Sequence, residues 1–261
     1  MKVVILAGGF GTRIRDVSED LPKPMIMIGD KPIIWHIMKY YSSYGFDDFI
    51  ICLGYKGEKI RNYFLNYDTN NSDITLKIGG TSEIVIHEKN LKENWSITFA
   101  ETGLHSMTGF RIKAIQKYIG DDENFFLTYG DGLSDVPIDE LLSFHLNHKR
   151  TLTLTGVRPP GRFGEIVCTE DGVISEFNEK PQSTSGRING GFFVCKTDVF
   201  RYIENDPNEV FEKFPMKRLV EAGELIQFNH DGFWQPMDTY REFLLLNEMY
   251  DNSIAPWTNW I

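Results

Sequence analysis

Long hydrophobic runs are missing from this sequence. Nothing approaches the roughly 18 apolar residues of a membrane helix, and the apolar opening ends at Ala7, too soon for the core of a secretion signal. A cytoplasmic protein without membrane contact is expected. Positive charge is also short: 27 Lys and Arg stand against 37 Asp and Glu, a net charge of −10, which disfavours nucleic acid and anionic lipid as partners. Any anionic ligand must therefore be held by a local cluster. Cysteine is scarce, and Cys52, Cys168 and Cys195 are far apart and flanked by apolar residues, the pattern of buried reduced thiols rather than of disulfides or a zinc site. No Ser-His-Asp or Cys-His order stands out, so nucleophilic catalysis is not indicated.

What is present suffices for a compact core, since 41% of the 261 residues are apolar and 25% charged. With no internal repeat or linker, one domain over residues 1–261 is expected, built from halves of about 1–135 and 136–261. Lys2 to Ala7 reads as a buried strand closed by Gly8-Gly9, and Asp48 to Leu53 as a second. Between them Ile33, Ile34, Ile37, Met38 and Tyr41 predict a helix with Pro32 in its first turn and Gly45 as its stop. The pattern continues with a helix over Lys56–Tyr67, strands over Ser96–Ala100 and Phe125–Tyr129, and a helix over Pro137–His148 capped by Asp135. His145 and His148 are expected on the exposed face of that helix. Such alternation indicates an α/β fold, a mostly parallel mixed sheet flanked by helices.

Asp68 to Asn90 breaks the rhythm and reads as two short strands, Ile74–Ile78 and Glu83–His87, around Gly79-Gly80. Beyond Thr151 a strand over Gly191–Cys195 and helices near Pro215–Ala222 and Tyr240–Tyr250 extend the same sheet. The tail Ala255–Ile261 carries Trp257 and Trp260 and should pack on the body or on a neighbouring subunit.

The first strand runs into Gly8-Gly9-Phe10-Gly11-Thr12-Arg13, whose glycines let main-chain N–H groups approach a phosphate. The dinucleotide fingerprint fails because Ile14 stands at its third glycine, and a P-loop's Lys-Ser or Lys-Thr ending is absent. A nicotinamide-dependent oxidoreductase is therefore a distant alternative. The loop offers Arg13 instead, with Lys23 close behind between Pro22 and Pro24. Asp131, in Gly130-Asp131-Gly132, ends an apolar strand where open parallel sheets place ligands, and a carboxylate there suits Mg2+, although Asp-Gly is also ordinary turn chemistry. Asp238 ends the aromatic loop Gly232–Thr239 and precedes a helix, a position where Asp often serves only as an N-cap. The ring cluster in that loop, Phe233 and Trp234, reads as packing rather than as a base-stacking platform. Glu179-Lys180-Pro181 and Asn189-Gly190-Gly191 offer a carboxylate, an ammonium and an amide suited to a phosphorylated polyol. Ser106 to Arg111 is a further polar turn that opens a helix.

Together, the Gly8–Arg13 loop, Lys23-Pro24, Gly130-Asp131-Gly132 and Glu179-Lys180-Pro181 resemble the sugar-phosphate nucleotidylyltransferases. Trp35-His36-Ile37-Met38, Cys52–Gly57, Ser106–Arg111, Pro159–Gly164, Asn189–Val194 and Phe233–Thr239 resemble, more narrowly, the branch that joins CTP to glucose 1-phosphate, and the likeness reaches Ala255-Pro256-Trp257. The resemblance implies a nucleotide-diphospho-sugar transferase (Rossmann-like) fold and cytidylyl transfer to glucose 1-phosphate, giving CDP-glucose and pyrophosphate. It also implies Mg2+ as cofactor, a place in dideoxysugar and surface-polysaccharide synthesis, and a homo-oligomer, trimer or hexamer. It assigns Leu6, Ala7, Gly8, Gly9, Phe10, Gly11, Thr12, Arg13, Lys23, Ser106, Arg111 and Gly130 to the nucleotide. Asp131 and Asp238 fall to Mg2+, and Glu179, Lys180 and Asn189 to the sugar phosphate; Arg13, Lys23, Asp131 and Asp238 form the catalytic set. The chain departs from the family at Leu21, where a further lysine is common, and over Asp68–Asn90. The alternatives are another nucleoside triphosphate or sugar 1-phosphate, or a non-catalytic sugar-nucleotide-binding homologue.

Overall fold

The computed structural model describes residues 1–11, 20–79, 83–87, 93–159, 165–168, 171, 173–178 and 186–260. Seven strands form the central sheet: β1 (Val3–Leu6), β2 (Asp48–Leu53), β3 (Ser96–Glu101), β4 (Asn124–Tyr129), β5 (Leu152–Val157), β6 (Ile188–Lys196) and β7 (Leu225–His230). They lie in the order β7-β5-β6-β4-β1-β2-β3. Every pairing is parallel except those of β6, which runs antiparallel to both β4 and β5. The second half thus extends the sheet of the first through the β4–β6 joint.

β1 is buried on both faces, as a central parallel strand must be when helices cover the sheet on either side. Val3 and Ile5 join a core with Ile33, Ile37 and Tyr41 of the helix Ile33–Ser42, while Val4 and Leu6 point the other way onto Ile112, Ile115 and Ile119. The antiparallel hairpin Ile74–Lys77 and Glu83–Ile86 stands where the sequence predicts it. Helices Phe214–Glu221 and Tyr240–Asp251 also match. Trp257 is fully buried on the body, with Phe233 stacked 5.5 Å from it and its indole donating to His36 Nδ1 at 3.4 Å. Cys52 and Cys195 are buried free thiols; the Cys168 side chain lies outside the described residues. Among the described residues no helix is long and apolar enough to cross a membrane.

Four local expectations differ. Pro32 is the N-cap, not a first-turn residue, because it stays extended to pair with Met27 in a short ladder. The helix expected over Lys56–Tyr67 breaks at Asn66 into Gly57–Leu65 and Tyr67–Asn70. Asp135 does not cap the helix Ile138–His148; Pro137 holds that position, and the Asp135 carboxylate meets His230 Nε2 at 2.8 Å. His145 is buried rather than exposed, because β5 places the Thr153 hydroxyl 2.7 Å from its Nδ1. Its Nε2 donates to Asn124 Oδ1 at 3.2 Å, so the Thr153 hydroxyl donates to Nδ1 and accepts in turn from His148 Nε2 at 2.7 Å. Burial pulls the pKa values of both imidazoles down, that of His145 to about 4.

Candidate active site

A cavity of about 420 Å3 opens at the carboxyl ends of β1 and β4. Of the residues expected at the nucleotide, Leu6, Ala7, Gly8, Gly9, Phe10, Gly11, Lys23, Ser106, Arg111 and Gly130 all line it, together with Asp131 and Asp238. Thr12, Arg13, Glu179 and Lys180 lie outside the described residues.

The glycine loop leaves β1 along a path that admits no side chain at its start. A Cβ on Gly8 would lie 2.3 Å from Arg111 Nη1, and Gly11 takes a left-handed φ of +58°. Arg111 explains the close fit. Its guanidinium, in a residue only 4% exposed, donates from Nη2 to the carbonyls of Gly8 (3.0 Å) and Leu104 (3.4 Å), and from Nη1 to the Leu53 carbonyl (2.9 Å) and the Thr102 hydroxyl (2.7 Å). It pins the loop to the end of β2 from behind. Burial pulls its pKa below the ordinary arginine range, and every one of these acceptors is uncharged. A buried cation so placed favours an anion in the cavity it lines.

Lys23 sits opposite, where the 3-10 turn Lys23–Met25 begins after Pro22. Its ammonium donates to Asp131 Oδ2 at 2.6 Å and to Asp238 Oδ1 at 2.5 Å. Burial works against its charge, but the two carboxylates outweigh that and hold its pKa above the ordinary lysine value. What brings two acids so distant in sequence to one nitrogen is a small antiparallel ribbon, in which Trp234, Gln235 and Pro236 pair with Ser134, Leu133 and Gly132. Asp131 precedes one strand of the ribbon and Asp238 follows the other, and the Met237 N–H donates to the Asp131 carbonyl at 2.8 Å. Asp238 is not the helix cap: Thr239 takes that role, with the Glu242 N–H donating to its hydroxyl and Glu242 accepting in return from the Thr239 N–H. The Asp238 carboxylate therefore turns to Lys23.

Asn189, expected at the sugar phosphate, donates from Nδ2 to Tyr129 Oη at 3.2 Å, and Tyr129 lines the cavity. Sequence reasoning missed Tyr129, although it directly precedes Gly130 at the end of β4. Thr108, in the polar turn Ser106–Arg111, lines the cavity as well, whereas His105 was missed; it stacks on Phe10 with ring centroids 5.8 Å apart. No motif signals that pair, because the rings belong to different loops.

The profile of the nucleotidyl transferase family matches residues 2–252. A glucose-1-phosphate cytidylyltransferase from Salmonella typhi is 46% identical over the full length of both chains. A probable glucose-1-phosphate cytidylyltransferase from Bacillus subtilis (strain 168) is equally similar, also at full coverage. Among solved structures, HddC from Yersinia pseudotuberculosis superposes with a TM-score of 0.70 at 24% identity, covering 95% of this chain and 99% of that one. The sheet order and this likeness together establish the nucleotide-diphospho-sugar transferase fold. By identity along its whole length, the chain belongs to the nucleotidyl transferase family and, within it, to the glucose-1-phosphate cytidylyltransferases.

Proposed function

We propose that this chain moves the cytidylyl group of CTP onto glucose 1-phosphate, releasing pyrophosphate and leaving CDP-glucose. The choice of substrates follows the full-length relatives. The chemistry rests on one observation: two carboxylates and one ammonium converge beside a glycine loop in a single cavity.

An oxygen of the sugar phosphate attacks the α-phosphorus of CTP in line, and the bond to the pyrophosphate oxygen breaks. No protein nucleophile is required, so positioning and charge neutralisation carry the reaction. The main-chain N–H groups of Gly8 to Gly11 face the triphosphate, and Lys23, kept fully charged by its two carboxylates, counters the charge that develops as pyrophosphate leaves. Arg13 shares that role. Glu179, Lys180 and Asn189 take the sugar phosphate, and Ser106, Arg111 and Gly130 complete the nucleotide side.

The donor set fits Mg2+, since Asp131 and Asp238 are hard oxygen donors that already face one cation, the Lys23 ammonium. These two residues would hold the ion, and when bound it would neutralise charge on the reacting phosphates. One domain carries both halves of the site. A homo-oligomer, trimer or hexamer, in the cytoplasm belongs to the same reading. The hairpin Ile74–Lys77 and Glu83–Ile86, with Ile74, Leu76, Ile84 and Val85 exposed, offers apolar surface for assembly.

Pyrophosphate release measured with each nucleoside triphosphate against a panel of sugar 1-phosphates tests the proposal. CTP with glucose 1-phosphate is expected to give the highest kcat/KM. A better pair would move the substrate assignment, and tight CTP binding without turnover would mark a binding protein instead.

A further inference from the structure

Glu212 lies in the turn that precedes the helix Phe214–Glu221, outside every motif noted in the sequence. Both of its carboxylate oxygens are engaged by hydroxyls of the cavity wall. Tyr129 Oη donates to Oε1 at 2.5 Å, and Thr108 Oγ1 donates to Oε2 at 2.6 Å. The directions are fixed by what lies behind each hydroxyl. Tyr129 Oη accepts from Asn189 Nδ2 at 3.2 Å, and Thr108 Oγ1 accepts from the Phe211 N–H at 2.9 Å. The Asn189 amide is itself oriented, because its Oδ1 accepts from the Gly191 N–H at 2.9 Å. One carboxylate thus joins the helix that opens on the nucleotide side at Thr108, the end of β4 at Tyr129 and the start of β6 at Asn189.

We infer that Glu212 is a positioning residue that fixes the wall shared by the two substrates: it holds Thr108 on the nucleotide side and, through Tyr129, Asn189 on the sugar side. The inference rests on the reading of Asn189 as a sugar-phosphate ligand. An ionised acceptor suits this task, since hydrogen bonds to a carboxylate are roughly twice as strong as neutral ones. It also takes two hydroxyl protons at once, which an amide in its place cannot do. With Tyr129 tied to Glu212 and Asn189 tied to both Tyr129 and Gly191, one Asn189 N–H has no acceptor among the described residues and can meet a sugar hydroxyl.

The test separates the KM for CTP from the KM for glucose 1-phosphate in four variants, with folding followed by near-UV circular dichroism and Tm. Tyr129→Phe deletes the hydroxyl that links Asn189 to Glu212, and should raise the KM for glucose 1-phosphate about tenfold, the loss of one hydrogen bond, while the KM for CTP stays within about twofold. Glu212→Ala should raise both. Glu212→Gln, which keeps the shape, should raise both by less, and it guards against a failure of the alanine variant to fold. Glu212 variants in which both KM values stay within about twofold of wild type, or in which Tm falls and neither KM moves, would overturn the inference. Asn189→Ala distinguishes the two levels of argument. If it raises the KM for glucose 1-phosphate and neither Tyr129→Phe nor the Glu212 variants do, the positioning role fails and the reading of the site stands. If Asn189→Ala has no effect on that KM, the sugar-side reading fails and the Glu212 inference falls with it.

Discussion

One ammonium, 2.6 Å from Asp131 and 2.5 Å from Asp238, is shared by two acids, and such hard oxygen donors are the kind that Mg2+ takes. Asp131→Ala or Asp238→Ala is expected to lower kcat by at least about 10²-fold, the scale of a lost electrostatic contact in the transition state. Steady-state turnover across a Mg2+ titration checks this, and near-normal rates in either variant would remove that acid from the chemistry. Arg111 acts differently, through shape. Its planar fork reaches four acceptors at once, which a lysine's single ammonium cannot match. Arg111→Lys should lower stability by about 2 kcal/mol, because buried carbonyls lose their donors, and chemical denaturation measures it. These residues also show how far the sequence could be read. Asp131 was legible because Gly-Asp-Gly ends an apolar strand. Asp238 was ambiguous because an acid before a helix also reads as a cap; the capping box one residue later, Thr239 with Glu242, was the visible clue that settles it. The role of Arg111 behind the loop left no sign, since main-chain carbonyls are supplied by every residue type. For His145 and His148, the spacing placed both on one helix face without saying which face, and Thr153 in β5 decided it.

The ribbon of Gly132–Ser134 and Trp234–Pro236 is the element that makes the site, since its register sets Asp131 and Asp238 side by side. Strands of three residues are too short to show a period, and they pair across about a hundred residues of sequence, so nothing local announces it. By contrast β1, β2, β4 and the helix Ile33–Ser42 were legible because long apolar runs or helical spacing mark them. The ribbon is also locked from outside: the Ser134 hydroxyl donates to the Phe233 carbonyl at 2.6 Å, and the Trp234 indole donates to the Gly190 carbonyl at 2.7 Å, next to Asn189. Met237, fully buried between the ribbon and Asp238, anchors that end. Met237→Ala should lower stability by about 2–5 kcal/mol, as for other buried truncations, and lower kcat as well because Asp238 loses its support. Met237→Leu, which conserves volume, should cost less than about 1.5 kcal/mol. Thermal unfolding and kcat measured on the same preparations distinguish the pair, and an alanine variant with normal kcat would show that Asp238 is held from elsewhere.

At the scale of the whole molecule, the carboxyl-terminal tail is fastened to the amino-terminal half through His36, which the sequence marked only as part of the motif Trp35-His36-Ile37-Met38. His36 Nε2 donates to the Ile28 carbonyl at 2.9 Å, leaving Nδ1 to accept from the Trp257 indole at 3.4 Å, and that second bond requires the neutral ring. The rings of Tyr250 and Trp35 meet its edge, and Asp30 and Lys31 are the charged groups that act on it. Burial pulls its pKa down to about 4, as it does for His145 in the Thr153 network. In the unfolded chain an imidazole titrates near 6.5. On acidification the unfolded state therefore takes up protons first, and stability that is complete above pH 6.5 is lost as pH falls toward 4, at up to about 3 kcal/mol for each such group. The carboxylates held below their ordinary values, among them Glu93 and Glu224, act in the same direction but only from about pH 4.5 downward, where unfolded carboxylates begin to protonate. Between pH 6.5 and 5 the histidines alone should set the slope. Tm measured through that interval is expected to fall steadily in the wild type and much less in a His36→Gln, His145→Gln double variant, whose amides keep the donors to Ile28 and Asn124 without a titrating ring. The double variant will start lower at pH 7, because the Trp257 and Thr153 contacts are lost, so the slope and not the starting value carries the test. A decline in the double variant as steep as in the wild type would place the titration in groups other than these two rings.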